Sequence, residues 1–263
     1  MFFKLTLITA LVLLALGRPA PASAQPGDTL VTGLKSPTGL TYDAEGRLYV
    51  SEWSGDQVSR LDTQGNLSPV TRAVKSPAGL AFDDQGCLYI ASYVEGAVYV
   101  LPPDGEPRQV AKGLASPTGL LWTQDLGLLV ANRNAGEVVK LRPDGGWEVW
   151  SSGHPTPVGL ARGQDGTIFV SCFGGRVEAI DSDGNKRTLK DGLASPGVGL
   201  IADGDGVLVV DYSAGAVLSI DRRGGVSNVL EGLASPVGLT RAPDGRLLVG
   251  AWGDGTIQAF SLK

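Results

Sequence analysis

The chain has 263 residues, of which 43% are hydrophobic and 19% charged, with a formal net charge of −5, one His and two Cys. This composition is typical of a globular protein, and its acidic balance argues against nucleic acid as a partner. A single His excludes zinc sites built from several His, and two Cys exclude a disulfide-dense scaffold or a four-thiolate cluster. The 38 Gly and 16 Pro indicate many turns and favour β structure.

Residues 1–24 have the features of a secretory signal peptide. Lys4 supplies a short positive start, the apolar run 5–16 is too short to span a bilayer comfortably, and Ala22-Ser23-Ala24 matches a cleavage site. We therefore expect cleavage before Gln25, a secreted or periplasmic protein, and no transmembrane segment after cleavage. An uncleaved anchor is the alternative.

A motif, Ser-Pro-x-Gly-Leu with small variations, recurs six times and divides the rest of the chain into units of nearly one length. Its prolines are evenly spaced except between the fourth and the fifth, where the spacing is shorter by one: Pro37, Pro77, Pro117, Pro157, Pro196 and Pro236. Each motif is followed by a turn with Asp and Gly, an alternating apolar run such as 47–50, and two further short runs. Four strands in a period of about 40 residues predict a β-propeller blade.

The two ends of the chain predict how the ring of blades closes. The sixth unit ends at its third strand, 257–260, and the segment 29–34 before the first motif matches the fourth strands of other units. We expect the N-terminal strand to complete the last blade, which leaves no free sheet edge. The predicted fold is an all-β, six-bladed propeller with four-stranded blades over residues 25–263, and we expect a monomer. An open solenoid of β units is the alternative.

The predicted strands bring equivalent residues of every unit to one mouth of the ring. The second strand of each unit ends at the same offset from its motif Pro, at Glu52, Ser92, Asn132, Cys172, Asp211 and Ala251. The next position is occupied by Trp53, Tyr93, Arg133, Phe173, Tyr212 and Trp252. Five aromatic side chains can stack on sugars, planar rings or cations, and Arg133 suits an anionic group on a ligand. The alternatives are rings that cover strand ends and, for Arg133, an ion pair with Glu95 or Glu137.

Three polar residues on the same predicted face are candidate metal ligands. Glu52, Asn132 and Asp211 belong to alternate units, and their side-chain oxygens are of the kind that Ca²⁺ binds. The alternative is that each of them bonds backbone amides at the corner of its own blade.

One thiol and one imidazole are predicted to lie near each other in the fourth unit. His154 lies shortly before the motif Pro, and Cys172 ends the second strand, so a thiol–imidazole pair is a candidate dyad. The alternative is that Cys172 packs as a small apolar residue. A Cys87–Cys172 disulfide is not expected, because Cys87 begins a strand near the opposite face of another blade.

The repeat P-x-G-L…D-x-x-G-x-L-Y-V-x-E/D…G-x-V resembles the NHL repeat over the whole of 25–263, and the stretch 169–177 resembles the regucalcin–gluconolactonase propellers. The second resemblance implies a catalytic metal held partly by Asn and Asp one residue after the motif Pro. Those positions are Thr38, Ala78, Thr118, Val158, Gly197 and Val237. None is a carboxylate or an amide. Virginiamycin B lyase and amidating-lyase relatives imply more than one functional His, and this chain has only His154.

The sequence leaves three functions open. The first is an exported propeller that binds a small molecule or glycan at the aromatic mouth. The second is a hydrolase or lyase of the gluconolactonase-like type, with Ca²⁺ as the candidate cofactor. The third is a protein-interaction scaffold of the NHL type. The sequence favours the first, because an aromatic ring is predicted at the mouth and no complete catalytic set is present; whether the protein is an enzyme stays open.

Overall fold

The computed structural model describes residues 27–262 of the chain. Within that range the protein is all β apart from two single-turn 3-10 helices, Trp53–Gly55 and Arg133–Ala135. Its 24 strands form six separate four-stranded antiparallel sheets, which confirms the predicted six-bladed propeller. The predicted signal peptide, 1–24, lies outside the described residues. No helix in the described range has the length and apolar character needed to cross a membrane.

The first five blades each use four consecutive strands. Blade one contains β2 (Pro37–Tyr42), β3 (Leu48–Glu52), β4 (Gln57–Leu61) and β5 (Leu67–Thr71). Blade two contains β6 (Pro77–Phe82), β7 (Leu88–Ser92), β8 (Ala97–Leu101) and β9 (Arg108–Ala111). Blade three contains β10 (Pro117–Thr123), β11 (Gly127–Asn132), β12 (Glu137–Leu141) and β13 (Trp147–Ser152). Blade four contains β14 (Pro157–Arg162), β15 (Ile168–Cys172), β16 (Arg176–Ile180) and β17 (Lys186–Lys190). Blade five contains β18 (Pro196–Asp203), β19 (Gly206–Asp211), β20 (Ala216–Ile220) and β21 (Val226–Leu230).

The sixth blade combines both ends of the chain. It contains β22 (Pro236–Arg241), β23 (Leu247–Ala251), β24 (Thr256–Phe260) and, at its outer edge, β1 (Asp28–Val31). The antiparallel pairing of β1 with β24 confirms that the N-terminal strand completes the last blade. Val31 and Ile257 are buried together with Leu48 and Val50 of blade one. Because each such aliphatic side chain contributes about 1.5–3 kcal/mol when fully buried, this shared cluster stabilises the contact between the last blade and the first.

The strand register places equivalent residues of every blade at the same height. In each blade the motif Pro, at the start of the inner strand, pairs with the last residue of the second strand. The pairs are Pro37–Glu52, Pro77–Ser92, Pro117–Asn132, Pro157–Cys172, Pro196–Asp211 and Pro236–Ala251. The predicted spacing is therefore confirmed in all six blades, including blade five with its inserted residue.

The Gly of the motif lets the innermost strands approach one another around the axis. A Cβ atom on Gly39, Gly79 or Gly238 would lie less than 3.0 Å from a backbone oxygen of the next blade's inner strand. For Gly238 that oxygen belongs to Thr38, so the same close contact joins blade six to blade one. Side chains cannot be accommodated at this separation, which explains why the motif carries Gly at this position.

Candidate functional site

The residue before each motif Pro positions the residue that faces the mouth. In five blades the carbonyl of the residue before the motif Pro accepts a hydrogen bond from the backbone N–H of the mouth-facing residue. Ser36 accepts it from Trp53 at 3.1 Å, and Ser235 accepts it from Trp252 at 3.0 Å. Ser36 and Ser235 have φ angles of 57° and 55°, a region that non-glycine residues rarely adopt. Because the same conformation recurs in most blades, the motif fixes the mouth-facing residues at a common depth.

Six side chains form a closed ring at one end of the central channel, here called the mouth ring: Trp53, Tyr93, Arg133, Phe173, Tyr212 and Trp252. Neighbouring aromatic rings have centroid separations of 5.9 Å for Trp53–Tyr93, 6.4 Å for Phe173–Tyr212, 6.2 Å for Tyr212–Trp252 and 5.4 Å for Trp252–Trp53. Arg133 occupies the remaining position, with its guanidinium carbon 5.9 Å from the Tyr93 ring and 5.4 Å from the Phe173 ring. The structure thus brings together all six members predicted from the repeat.

The mouth ring surrounds a cavity of about 320 Å³. The residues that follow the motif prolines also line it: Thr38, Ala78, Thr118, Val158, Gly197 and Val237, with Val198. The indole N–H of Trp252 donates to the Thr38 hydroxyl at 3.2 Å, which connects the mouth ring to this lower layer. The cavity is predominantly apolar, and its described lining residues include neither a carboxylate nor an imidazole. It therefore has the character of a binding pocket for an apolar, flat group.

Arg133 is the one charged residue among the described residues that line the cavity. Its Nη1 donates to the Tyr93 hydroxyl at 3.0 Å and to Asn134 Oδ1 at 3.2 Å. Within the described range it forms no ion pair with Glu95 or Glu137, the partners considered from the sequence. Glu95 instead lies 2.8 Å from the Ser92 hydroxyl and accepts a hydrogen bond from it. The guanidinium is therefore held by aromatic faces and neutral oxygens, and its charge is not compensated by a carboxylate.

The residues immediately before the mouth ring are directed into their own blades and do not line the cavity. Asp211 accepts hydrogen bonds from the backbone amides of Ala194 at 2.9 Å, Ser195 at 2.8 Å and Ala214 at 3.2 Å. Asn132 accepts one from Ala115 at 2.6 Å. Asp211 thus accepts all three of these hydrogen bonds from backbone amides at the corner of its blade. This is the alternative to metal binding that the sequence left open for Glu52, Asn132 and Asp211.

Glu52 and Ser92 form similar corner contacts in blades one and two. Glu52 accepts hydrogen bonds from the Lys35 amide at 3.0 Å and from the Ser59 hydroxyl at 2.6 Å, and it is 5% exposed. The Ser92 hydroxyl shares its proton between Glu95 and the Lys75 carbonyl, which lies at 2.6 Å. A cation bound by Glu52, Asn132 and Asp211 together would have to displace such bonds. The calcium site at the three residues stays a prediction.

The corner of blade four contains a different group of side chains. His154 Nδ1 donates to Glu178 Oε2 at 2.5 Å, and His154 Nε2 shares a hydrogen bond with the Ser151 hydroxyl at 2.9 Å. Cys172 Sγ lies 3.9 Å from the same Glu178 oxygen. The ligating atoms of His154, Cys172 and Glu178 all lie within 4.8 Å of one another. The predicted proximity of the imidazole and the thiol is thus present, with a carboxylate between them.

Burial determines the chemistry of this cluster. His154, Cys172 and Glu178 are each at most 3% exposed. Burial, reinforced by the negative charge of Glu178, raises the pKa of the Cys172 thiol well above its usual range, so the thiol is protonated at neutral pH and is a poor nucleophile. Burial by itself opposes ionisation of Glu178, but the hydrogen bond from His154 and the nearby positive charges outweigh it and hold the Glu178 pKa below its ordinary value. The cluster does not open into the mouth cavity.

Sequence reasoning missed Glu178, although the repeat contains a signal for it. The strand register aligns Glu178 with Ser59, Tyr99, Val139, Leu218 and Gln258. The position of His154 relative to the motif Pro holds Leu34, Val74, Leu114, Leu193 and Leu233 in the other units. Blade four alone replaces an aliphatic residue by His and at the same time carries an acid at the facing position. A paired departure from the repeat of this kind predicts a side-chain contact.

A larger groove, of about 590 Å³, lies between blades two and three, outside the central mouth. Tyr89, Arg108, Lys112, Trp122 and Arg142 are among the residues that line it. It contains none of the site residues predicted from the repeat, and only two blades contribute to it. The central mouth remains the candidate site, because every blade supplies residues to it at equivalent positions.

The sequence matches no protein-family model and no curated protein. Solved structures with a similar fold include regucalcin, a calcium-binding protein from Agrobacterium tumefaciens, with a TM-score of 0.78 and 17% identity over 92% of this chain and 96% of that one. A gluconolactonase from Xanthomonas campestris has a TM-score of 0.77 and 20% identity over 94% and 99% of the two chains. Virginiamycin B lyase from Staphylococcus aureus has a TM-score of 0.68 and 14% identity over 87% and 85%.

At these identities the similarity concerns the fold, and a propeller framework carries many unrelated activities. The resemblance to regucalcin–gluconolactonase propellers that the sequence indicates is supported at the level of the fold by the first two of these structures. The chain is a six-bladed β-propeller, and its fold is similar to those of the regucalcin, gluconolactonase and virginiamycin B lyase structures.

Proposed function

We propose that this protein binds a small molecule with a flat apolar group in the cavity inside the mouth ring. The observation that carries the proposal is that five aromatic rings and one guanidinium form a closed circle around an apolar cavity at the channel end. Aromatic faces held in place by neighbouring rings lose little conformational entropy when a ligand stacks on them.

The size of the cavity supports a small molecule over the glycan or protein partner that the sequence left open. Its volume of about 320 Å³ lies near the lower end of the range of about 300–1,000 Å³ found for small-molecule pockets. A ligand of one or two rings fits this volume. A glycan chain or a protein would have to bind outside the cavity and would leave most of the apolar lining uncovered.

The proposal is tested by removing the aromatic side chains in stages. We expect Trp252→Ala to weaken binding of two-ring aromatic compounds by about tenfold or more, and the triple replacement of Trp53, Tyr212 and Trp252 by Ala to abolish it, because stacking surface is lost. Isothermal titration calorimetry measures the affinity, and circular dichroism checks that each variant is folded. Trp150→Ala is the matched control, because Trp150 lies outside the mouth. Equal affinity in wild type and in the folded Trp252→Ala variant contradicts the proposal.

A second candidate function is a hydrolase or lyase activity at the same mouth. The fold comparison favours it, because the similar solved structures include a gluconolactonase and virginiamycin B lyase. The donor atoms at the cavity do not fit a calcium ion: the Thr38 and Thr118 hydroxyls are the side-chain oxygens of the lower layer, and they donate to carbonyls at 3.0 and 3.2 Å. A metal-free activity at this cavity would have to use Arg133 and the tyrosine hydroxyls of the mouth ring.

The second candidate is tested with sugar lactones as substrates. Turnover that is abolished by a chelator and restored by Ca²⁺ supports metal-assisted hydrolysis and the calcium prediction at Glu52, Asn132 and Asp211. Elemental analysis of the purified protein gives an independent reading, because one bound calcium per chain is then expected. Turnover that survives the chelator but is lost in Arg133→Gln supports a metal-free activity, and no turnover removes hydrolysis of this substrate class.

We also propose that the protein acts outside the cytoplasm, on the basis of the sequence of residues 1–24. Expression of the full chain in a bacterial host, followed by fractionation and N-terminal sequencing, tests this proposal. A mature protein that begins at Gln25 in the periplasm or medium supports it, and an unprocessed protein in the cytoplasm contradicts it.

A further inference from the structure

We infer that the ligand of the mouth cavity is a planar aromatic anion, whose negative group binds Arg133 while its rings stack inside the mouth ring. The inference rests on the proposed function and deepens it, because it names the chemical class of the ligand. It depends on three properties of Arg133: its isolation from carboxylates, its unused hydrogen-bond donors, and its place among rings that would otherwise attract cations.

No carboxylate among residues 27–262 forms an ion pair with Arg133, although the chain is acidic. The protein has 27 Asp and Glu against 22 Lys and Arg, so carboxylates are plentiful. Many surface arginines of the described range are paired, for example Arg162 with Asp125 and Arg176 with Asp191 at 3.0 Å. Arg133 has no such partner among the described residues, and the nearby Glu95 and Glu137 bond Ser92 and Asn132. A site that is open to an anionic ligand requires this arrangement, because a carboxylate of the protein would compete for the guanidinium.

The guanidinium also retains the donors that a carboxylate needs. Both described hydrogen bonds of Arg133 use Nη1, one to the Tyr93 hydroxyl and one to Asn134 Oδ1. Within the described range Nη2 and Nε donate to no protein acceptor, and these two atoms form the edge of the guanidinium that binds carboxylates through two parallel bonds. The bonds at Nη1 limit the rotation of the side chain, so the free edge is oriented before the ligand binds.

The same geometry disfavours a cationic ligand. Aromatic faces attract ammonium groups, and a ring of five would suit a quaternary ammonium if it stood alone. In this mouth the guanidinium already lies over Tyr93 and Phe173, at 5.9 and 5.4 Å from their centroids. A second cation would compete with it for these faces and would experience like-charge repulsion in a cavity whose described lining contains no acid. The protein's own cation therefore sets the preferred sign of the ligand.

The inference is tested with three probes that share a two-ring system and carry a negative, a neutral and a positive polar group: naphthoate, naphthamide and naphthyl-trimethylammonium. Calorimetry on the wild-type protein is expected to give affinities that decrease in that order, with naphthoate about tenfold or more tighter than naphthamide, as a charge-assisted bidentate pair supplies. In Arg133→Gln the affinity for naphthoate is expected to fall to about that for naphthamide, because the charge-assisted pair is lost while the aromatic rings of the mouth remain. Arg133→Lys is expected to keep part of the preference, because it keeps the charge but loses the two-pronged geometry.

Arg223→Gln is the matched control. Arg223 is an exposed residue of the turn between β20 and β21, at the end of blade five opposite the mouth, and its replacement changes the net charge equally. Equal affinities for naphthoate and naphthamide in the wild type, or a preference that survives Arg133→Gln, overturn the inference but leave the proposed function standing. Tightest binding of the trimethylammonium probe also overturns it, in favour of a cation site. Binding of none of the probes at millimolar concentration contradicts both.

Discussion

The mouth ring and the blade corners are built from adjacent residues of the same repeat, yet they have opposite properties. Asp211 is 2% exposed and its carboxylate accepts three backbone hydrogen bonds, whereas the side chain of the next residue, Tyr212, lines the cavity and packs against other rings of the mouth. Asn132 and Arg133 differ in the same way. Successive residues at the end of a strand point in different directions, so one residue of the pair stabilises the blade and the next is available to a ligand.

This difference shows that residue type alone does not predict which side chains line the central cavity and which bond within their own blade. Carboxylates and amides at the corner resemble metal ligands in the sequence, and in the structure their oxygens already accept hydrogen bonds from backbone amides and, at Glu52, from neighbouring side chains. The mouth ring, which is mostly apolar, surrounds the cavity and supplies the one charge among its described lining residues. The comparison predicts that corner variants change stability, and that mouth variants change ligand binding.

The largest expected loss of stability comes from separating His154 and Glu178 in the corner of blade four. His154→Leu removes the imidazole from the buried Glu178 carboxylate and leaves it the longer ion pair with Arg176 at 3.6 Å, so we expect it to lower the free energy of unfolding by about 3 kcal/mol. The double variant His154→Leu with Glu178→Leu places Leu at both positions, as blade five does with Leu193 and Leu218, and is expected to lie within about 1 kcal/mol of the wild type, because buried ion pairs are often replaceable by apolar ones. Urea unfolding measures the wild type, the single variants His154→Leu and Glu178→Leu, and the double variant. A loss of unfolding free energy in the double variant that equals the sum of the losses in the two single variants would show that His154 and Glu178 do not stabilise each other.

The corner of blade five is expected to give a smaller loss. Asp211→Ala removes the acceptor of three backbone amides, and we expect a loss of about 2–3 kcal/mol in the free energy of unfolding. Asp211→Asn is expected to retain part of it, because Asn serves at the equivalent position in blade three. Asp205→Ala, an exposed residue of the same blade, is the control. A stable Asp211→Ala variant that instead loses ligand binding would place this carboxylate in the site.

The smallest expected effect is the pH dependence contributed by Glu178. Its pKa is lowered in the folded state, so its contribution to stability is fully present above its unfolded pKa of about 4.3 and is lost as the pH falls through the folded value. Between neutral pH and about pH 3, the wild type should therefore lose more unfolding free energy than Glu178→Gln. Chemical unfolding at a series of pH values measures the difference. If the unfolding free energies of the wild type and of Glu178→Gln change in parallel with pH, the ionised Glu178 carboxylate is not stabilised by its neighbours.

The sequence predicts the fold and the mouth ring because both follow from the repeat. Even spacing of the prolines determines the number of blades, and the constant offset from each motif Pro to Glu52 and its equivalents matches the strand pairing in every blade. The environment of those side chains could not be predicted in the same way. Whether Glu52 points to the axis or to the Lys35 amide depends on backbone directions at the corner, which the spacing does not encode.

The cluster in blade four shows a second limit. His154 and Cys172 could be placed near each other from the repeat, but the contact with Glu178 depends on the third strand of the blade and on a corner that is one residue shorter than in blade one. Burial, which determines the protonation state of the thiol, is a property of the packed structure. Comparison of one unit with the other five would have revealed this pair, because both of its members depart from the repeat.

The position of a bound ligand tests the proposed role of the mouth ring most directly. A crystal structure of the mature protein with naphthoate at millimolar concentration is expected to show the rings between Trp252 and the opposite side of the mouth ring, with the carboxylate on the Nη2 and Nε edge of Arg133. Naphthoate bound in the groove between blades two and three, with the mouth empty, would contradict the account.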